Sequence, residues 1–333
     1  MAQLVQNPGI LDLENGMVFD GFYLLRQISI RTSANGSRFL DMTLADVTGE
    51  INAKMWDAPA ELPEGMQAGD AVKIRAAVTL WQNQLQVKVE KIRPITAQDP
   101  VKPAELVPSA PRDAGKMWQQ VVRAADSITR DGLRRMVTTL LKAEKERIFY
   151  YPAAKSGHHA VRAGLLYHTT AMLSAAEALL TVYPHLNRDL VVAGVIVHDL
   201  AKVDEMDAGK LGIVSEYTVE GTLLGHITMG VRRLHQIGEE VGADPEEMML
   251  LEHMVLSHHN EPDYGSPVRP MFAEAELLHH LDMMDARLYE FAKAGASAPE
   301  GGFSEPVWQL ERRRVYHPTF VEIVSPQNRK EED

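Results

Sequence analysis

All thirteen histidines of this chain fall between His158 and His317, and several occupy inward positions of helical segments. Over residues 162–182, Leu165, Met172, Ala175 and Leu179 recur at helical spacing, and His168 belongs to the same stripe. Residues 190–203 read as one helix that is apolar nearly all round and therefore buried, yet it carries His198, Asp199 and, one turn on, Lys202. His226 shares a stripe with Leu223, Gly230 and Leu234. His258 follows Leu251, Met254 and Val255 and precedes His259, on a helix whose start is marked by Asp244, Pro245 and Glu247 as a capping-box-like N-terminus. Asp282 continues the stripe Ala275, Leu278.

One buried histidine is ordinarily a core residue bonded to a backbone carbonyl. Five helices that each send an imidazole or a carboxylate inward point elsewhere. A buried carboxylate is costly unless positive charge compensates it, and a divalent cation does so. With no cysteine in the chain, disulfides and thiolate sites are excluded. Nitrogen and oxygen ligands suit Mn, Fe, Co, Ni or Zn, and a carboxylate can bridge two such ions about 3.5–4 Å apart. The expected ligands are His168, His198, Asp199, His226, His258, His259 and Asp282, with Asp199 as the bridge. His168, His198 and Asp282 complete one shell in this reading, His226 and His258 the other, and His259 stands in either or just behind.

Such a pair of ions lowers the pKa of a bound water and so supplies a hydroxide nucleophile. Lys202 reads as a cation beside the metal site, the alternative being a plain salt bridge to Asp199. The loop 260–270, with Asp263, Tyr264 and Arg269, is expected to line the substrate mouth, and Lys155, His158 and His159 to approach from the other side. His253, His279 and His280 read as supporting residues, and His185, His235 and His317 as surface ones.

The elements that position these groups begin beyond a different kind of sequence. Residues 22–30, 38–45, 51–56, 70–80 and 84–92 read as strands, separated by turn signals such as Asn35-Gly36, with alternation as in Leu85, Val87 and Val89. Five strands in this length suggest a small closed antiparallel barrel, most commonly an OB-fold. Phe39, Trp56 and Trp81, with Arg38 and Lys54 beside them, are candidates to stack and neutralise single-stranded nucleic acid, although Phe39 equally suits the barrel interior. Four prolines (Pro100, Pro103, Pro108, Pro111) then mark an extended linker, after which the period turns helical.

The expected architecture is thus multidomain: an N-terminal segment 1–17, an all-β OB-fold barrel 18–95, a linker 96–113, an all-α domain 114–322 and a charged tail 323–333. The net charge of −12 argues against a protein that coats nucleic acid nonspecifically, but residues 18–95 balance nine Lys or Arg against nine Asp or Glu. The N-terminus has no basic region of the secretory kind and no apolar run is long enough for a bilayer, so a cytoplasmic protein with no membrane partner is expected.

The order His168, His198-Asp199, Asp282 resembles the HD superfamily of metal-dependent phosphohydrolases, and His226 and His258-His259 resemble its binuclear members. This resemblance implies that the hydroxide is directed in line at a phosphodiester phosphorus and that Lys202 neutralises charge growing on the nonbridging oxygens. A narrower likeness spans both domains: FLDMTLADVTGEINAKMW from Phe39, His158-His159 with GLLYHT from Gly164, HDLAKV from His198, YTVEGTLLGHI from Tyr217 and SHHNEPDYGSPVRP from Ser257 resemble the YhaM family of bacterial 3′-to-5′ exoribonucleases. That resemblance implies an OB domain that assists RNA binding and an HD domain that hydrolyses single-stranded RNA, with single-stranded DNA as a further candidate substrate, to mononucleotides with two divalent ions, Mn2+ foremost. The residues leave two alternatives: an HD-type nucleotide or cyclic-dinucleotide phosphohydrolase with a regulatory OB domain, and a noncatalytic adaptor with a structural metal. The acidic helical half also leaves room for a homo-oligomeric interface.

Overall fold

The computed structural model describes residues 4–33, 35–58, 61–62, 66–96 and 98–326; residues 1–3 of the expected N-terminal segment and 327–333 of the expected tail lie outside them. The chain divides into two compact units, Met1–Ser109 and Ala110–Asp333.

In the first unit a short strand β1 (Leu4–Gln6) pairs with β2 (Val18–Thr32), and β3 (Arg38–Ala45), β4 (Glu50–Trp56), β5 (Ala71–Trp81) and β6 (Gln84–Pro94) complete the sheet. The first barrel strand runs past its expected ends because it serves two edges. Its first half, Val18–Leu24, pairs with β5, and from Leu24 to Thr32 it pairs with β3, bending at a bulge between Leu25 and Gln27. The ring β2–β3–β4–β6–β5–β2 therefore closes. It is not wholly antiparallel as expected: β4 and β6 pair in parallel, Ala53 opposite Val87. An odd number of strands in a closed ring cannot alternate direction throughout.

Alternation sends Leu40, Met42 and Leu44 of β3, Ile74 of β5, and Val87 and Val89 of β6 into the core, where Phe19 joins them. The β5–β6 connection is a two-residue turn, Gln82-Asn83, with positive φ at both positions, which suits the twist of a hairpin. Downstream, the expected extended linker contains a helical turn, α1 (Pro103–Leu106), because Leu106 and the following Val107 bury their side chains.

The second unit is built on α2 (Ala114–Asp126), α3 (Asp131–Ile148), α4 (Gly164–Val182), α5 (Arg188–Val197), α6 (Lys202–Glu205), α7 (Val219–Val241), α8 (Pro245–Ser257) and α9 (Ala273–Ser297). It is not purely helical: β7 (Met206–Ala208) and β8 (Val214–Tyr217) form a hairpin between α6 and α7. Its core joins residues from α2 through α9, among them Met136, Leu140, Leu165, Val192, Val203, Leu251 and Leu278. Side-chain caps start several helices, with Asn187 accepting from Leu190 N, Thr218 from Gly221 N, and Asp244 from the amides of Glu246 and Glu247. After α9 the chain returns over it, so that Leu310 and Val315 pack on Ala294. Among the described residues no helix is long and apolar enough to cross a membrane.

Two departures from the helical expectation shape the histidine cluster. Residues 190–203 are not one helix; α5 ends at Val197, and the next amides bond three residues back (Leu200 to Val197, Lys202 to Asp199), so His198 and Asp199 sit on a tight turn. Helix α7 is broken at Gly225 (φ 68°, ψ 158°). The break rotates its first turn away, so Leu223, expected beside His226 in the buried stripe, is 77% exposed.

Helix α4 starts at a residue that cannot be enlarged, since a Cβ on Gly164 would lie 1.9 Å from the carbonyl oxygen of His159. Gly164→Ala is expected to cost about 1–3 kcal/mol or more through backbone displacement, measurable as a lower urea midpoint for the helical unit.

Candidate metal centre

Each histidine of the cluster is held by its Nδ1. His198 and His258, at the C-terminal ends of α5 and α8, set Nδ1 3.0 Å from Val195 O and 2.7 Å from Val255 O. His259 sets Nδ1 2.6 Å from Tyr264 O. A carbonyl only accepts, so in these rings Nδ1 carries the proton and Nε2 the lone pair. His168 on α4 is tied by Nδ1 to Asp285 Oδ2 at 2.6 Å, and His226, just past the break in α7, to Glu205 Oε1 at 3.0 Å. Glu205 Oε1 also accepts from the His226 amide at 3.0 Å, a contact to which the irregular backbone at Gly225 lends room. Carboxylate or carbonyl behind imidazole fixes ring orientation and raises the basicity of the other nitrogen.

The free nitrogens converge on Asp199. Its Oδ2 lies 3.5 Å from His198 Nε2 and 3.8 Å from His168 Nε2, and its Oδ1 3.4 Å from His226 Nε2 and 3.8 Å from His258 Nε2. Asp282 completes the ring, with Oδ1 3.3 Å from His168 Nε2 and Oδ2 4.0 Å from His259 Nε2. Among the described residues three sets have donor atoms within 4.8 Å of one another: His168, His198, Asp282 and Asp199, His226, His258, His259 around this ring, and His159, His168, Asp285 behind it.

The Nε2 atoms of His168, His198, His226 and His258 and Oδ1 of Asp199 are buried with no hydrogen-bond partner among the described residues. Each such atom costs about 1–3 kcal/mol, so five together rival the whole net stability of a domain, about 5–15 kcal/mol. Donor atoms about 2.0–2.2 Å from a shared cation stand at separations of this kind, so the residues fit divalent ions.

Charge tells the same story. Burial alone pushes the carboxyls of Asp199 and Asp282 up, but Lys202 and His198 hold Asp199 well below the usual range, and the His168 ring, 3.3 Å away, does the same for Asp282. Burial disfavours the charged form of His168, yet Asp282 and Asp285 prevail and its pKa is pushed up to about 10. The carboxylates thus demand a positive charge, a proton on His168 or a cation in its stead. His258, away from Asp285, is instead held well below the ordinary imidazole value by burial and by His259 and His198.

Lys202 sets Nζ 2.8 Å from Asp199 Oδ2, the salt bridge weighed as the alternative, and the same side chain lines the cleft. That cleft, about 320 Å³, is also lined by His158, His258, His259, Tyr264 and Asp282. Of the residues expected at its mouth, His158 and Tyr264 are there. His159 is buried behind, with Nε2 2.7 Å from Asp285 and its ring 4.2 Å from that of Tyr289. Lys155 bonds Ser215 O, and Arg269 is 70% exposed on Glu261, so neither joins the cleft lining. His279 supports the cluster by setting Nδ1 2.8 Å from His258 O.

Asp285 and Glu205 do not stand out in the sequence. The only signal for Asp285 is its place one turn after Asp282; Glu205 gives none, since its partner lies across the β7–β8 hairpin.

In the barrel unit, Phe39, Trp56 and Lys54 meet. Phe39 is buried, but on the outward face of β3 rather than in the core: its ring lies 5.0 Å from that of Trp56, its cross-strand partner, with Lys54 Nζ 5.3 Å from its centroid. Trp56 is 43% exposed, and Lys88 of β6 stands beside Lys54 in the parallel pair. Arg38 adjoins Phe39 at the same end of β3. Trp81 sits apart, 61% exposed at the β5–β6 turn, opposite Gln84.

A closed five-stranded barrel and a helical unit with clustered histidines and aspartates define a nucleic-acid-binding module joined to a phosphohydrolase domain. Residues 26–95 match the family of OB-fold nucleic acid binding domains and residues 165–287 that of HD domains. The chain is 36% identical over 314 residues to the 3′-5′ exoribonuclease YhaM of Halalkalibacterium halodurans, covering 94% of this chain and 97% of that one. It is 36% identical over 312 residues to the 3′-5′ exoribonuclease YhaM of Bacillus subtilis, covering 94% and 98%. The chain belongs to the YhaM family of 3′-5′ exoribonucleases. Its members are hydrolases, and the HD domain implies dependence on a divalent metal.

Asp285 holds His168 and His159 in place from behind. Asp285→Ala is expected to weaken divalent-metal affinity about 10–100-fold while leaving the fold intact, as read by metal titration alongside circular dichroism.

Proposed function

We propose that the chain removes mononucleotides one at a time from the 3′ end of single-stranded RNA, with single-stranded DNA as a second substrate, using two divalent ions, Mn2+ foremost. The observation that carries the two-ion reading is Asp199, whose two oxygens face different imidazole sets. In this reading His168, His198 and Asp282 would hold one ion and His226, His258 and His259 the other, with Asp199 facing both sets. Ions held there would supply an acidified water as nucleophile and neutralise phosphate charge. The protein's own part is to keep each Nε2 lone pair aimed inward through its Nδ1 partner, and to keep water-excluding walls around the carboxylates. Lys202, in the cleft lining and one hydrogen bond from Asp199, presents a fixed cation to a nonbridging phosphate oxygen. His158, at the cleft wall and lowered to about 3 by burial, with Lys202 adding to the effect, meets the substrate as a neutral imidazole.

The barrel, assigned here to residues 18–95 and followed by a linker to 113, is proposed to receive the single strand on its outward β3–β4 face. Trp56 offers a ring for a base to stack on, and Lys54 and Arg38 follow the backbone. The site of action in this proposal is the cytoplasm.

A 5′-labelled oligoribonucleotide of mixed sequence, assayed beside free nucleotides after chelation and re-addition of Mn, Fe, Co, Ni or Zn one at a time, tests the central claim. A ladder shortening stepwise from the 3′ end is expected, with Asp199→Asn losing several orders of magnitude in rate; full turnover in that variant overturns the metal-centred mechanism.

Trp56→Ala is expected to weaken binding of single-stranded RNA by about 1–3 kcal/mol, the worth of one stacked base, in a fluorescence titration. Trp81→Ala, at the far turn, should change it less.

A further inference from the structure

The cleft does not stop at the histidines. It runs on along α9, where Asp282, Ala286 and Glu290 line it in succession, and Gln309 and Glu311 of the returning segment border it. Asp282 and Glu290 are eight residues apart, about 12 Å of helix, and Ala286 between them is too small to fill the space. A volume of about 320 Å³ is at the small end for ligand sites, which run from roughly 300 to 1,000 Å³, and suits one nucleotide.

Glu290 is unusual in this setting. It is 5% exposed, and its Oε1 has no hydrogen-bond partner among the described residues. The neighbouring cleft cation is engaged elsewhere, since Arg287 forks onto Glu311 at 2.7 and 3.3 Å. Glu290 Oε1 and Gln309 Nε2 face the same spot, each 3.7 Å from the position a Cβ on Gly157 would take. A buried carboxylate oxygen left unpaired is costly, about 1–3 kcal/mol or more, and the fold supplies it no donor among the described residues. A ribose supplies two, and a carboxylate is a group that proteins set against ribose hydroxyls.

Resting on the exoribonuclease reading above, we infer that Glu290 accepts hydrogen bonds from the 2′- and 3′-hydroxyls of the terminal ribose, with the Gln309 Nε2 amide beside it as a donor to a ribose oxygen, so that the cleft reads the sugar and the free 3′ end. A terminal 2′-deoxynucleotide lacks one of those donors and leaves Glu290 underpaired, the 2′-hydroxyl being the group by which RNA is told from DNA. A terminal 3′-phosphate sets negative charge against the same carboxylate. The base plays no part in this recognition.

The test uses the full chain loaded with Mn2+ and three 5′-labelled oligoribonucleotides that differ only in the last nucleotide: ribose, 2′-deoxyribose, or ribose with a 3′-phosphate. Release of the first nucleotide is expected to have a kcat/KM about 10–100-fold lower for the deoxy end than for the ribose end, the loss of one hydrogen bond to a charged group, with the 3′-phosphate end disfavoured as well. Glu290→Gln should bring the ribose-to-deoxy ratio towards one and ease the rejection of the phosphate. Equal rates on ribose and deoxy ends in the unsubstituted protein, or an undiminished ratio in Glu290→Gln, overturn the inference. The unsubstituted arms decide it even if the variant fails to fold. If no substrate is shortened at all, it is the exoribonuclease reading that fails, and this inference falls with it.

Discussion

A carboxylate in the middle of a protein is the constraint from which this structure is best understood. Asp199 is 2% exposed and carries its charge there because a lysine and four imidazoles surround it. None of these groups would remain in place unaided. The tight turn after α5 presents His198 and Asp199 side by side, the broken α7 brings His226 in with Glu205 behind it, and the C-terminal end of α8 delivers His258 and His259 together. The packing of eight helices into one core thus serves to keep a handful of nitrogen and oxygen atoms within reach of one another.

The two units solve opposite problems. The helical one buries polar atoms and must compensate each of them, which it does with a second layer of carbonyls and of carboxylates such as Asp285 and Glu205. The barrel keeps most of its polar groups outside and fills its core with hydrocarbon, so its outward face is free to vary. There a compact group of Phe39, Trp56 and Lys54 displays one half-open ring above a covered one. Neutral overall charge along the barrel sequence is compatible with this, because stacking does not depend on net charge and Lys54 and Lys88 stand side by side on the sheet.

Much of this is legible in the sequence, for a physical reason. Polar side chains at helical spacing inside apolar stripes are conspicuous, so His168, His258 and Asp282 declare themselves, and alternation with turn signals marks the barrel strands. What escapes depends on events that periodicity does not record. Gly225 interrupts a helix that reads as continuous, so Leu223 reads as part of a stripe it does not share. The 198–201 turn sits in a run whose composition is that of a buried helix. Phe39 suits a core position because its neighbours are apolar, but strand parity puts it outside with Asp41 and Thr43. Asp285 and Glu205 owe their importance wholly to partners distant in the chain, and the approach of Gln309 to Glu290 depends on a returning segment that carries no periodic pattern.

The spread of the cluster along the chain has a consequence for how such a protein is made. Its members run from His168 to Asp282, and the buttress Asp285 comes after all of them, whereas the barrel is complete by residue 94. On a ribosome, the barrel is complete while the cluster still lacks its closing side. The cluster cannot assemble until translation has passed Asp285 and α9 has emerged, an order that follows from topology alone.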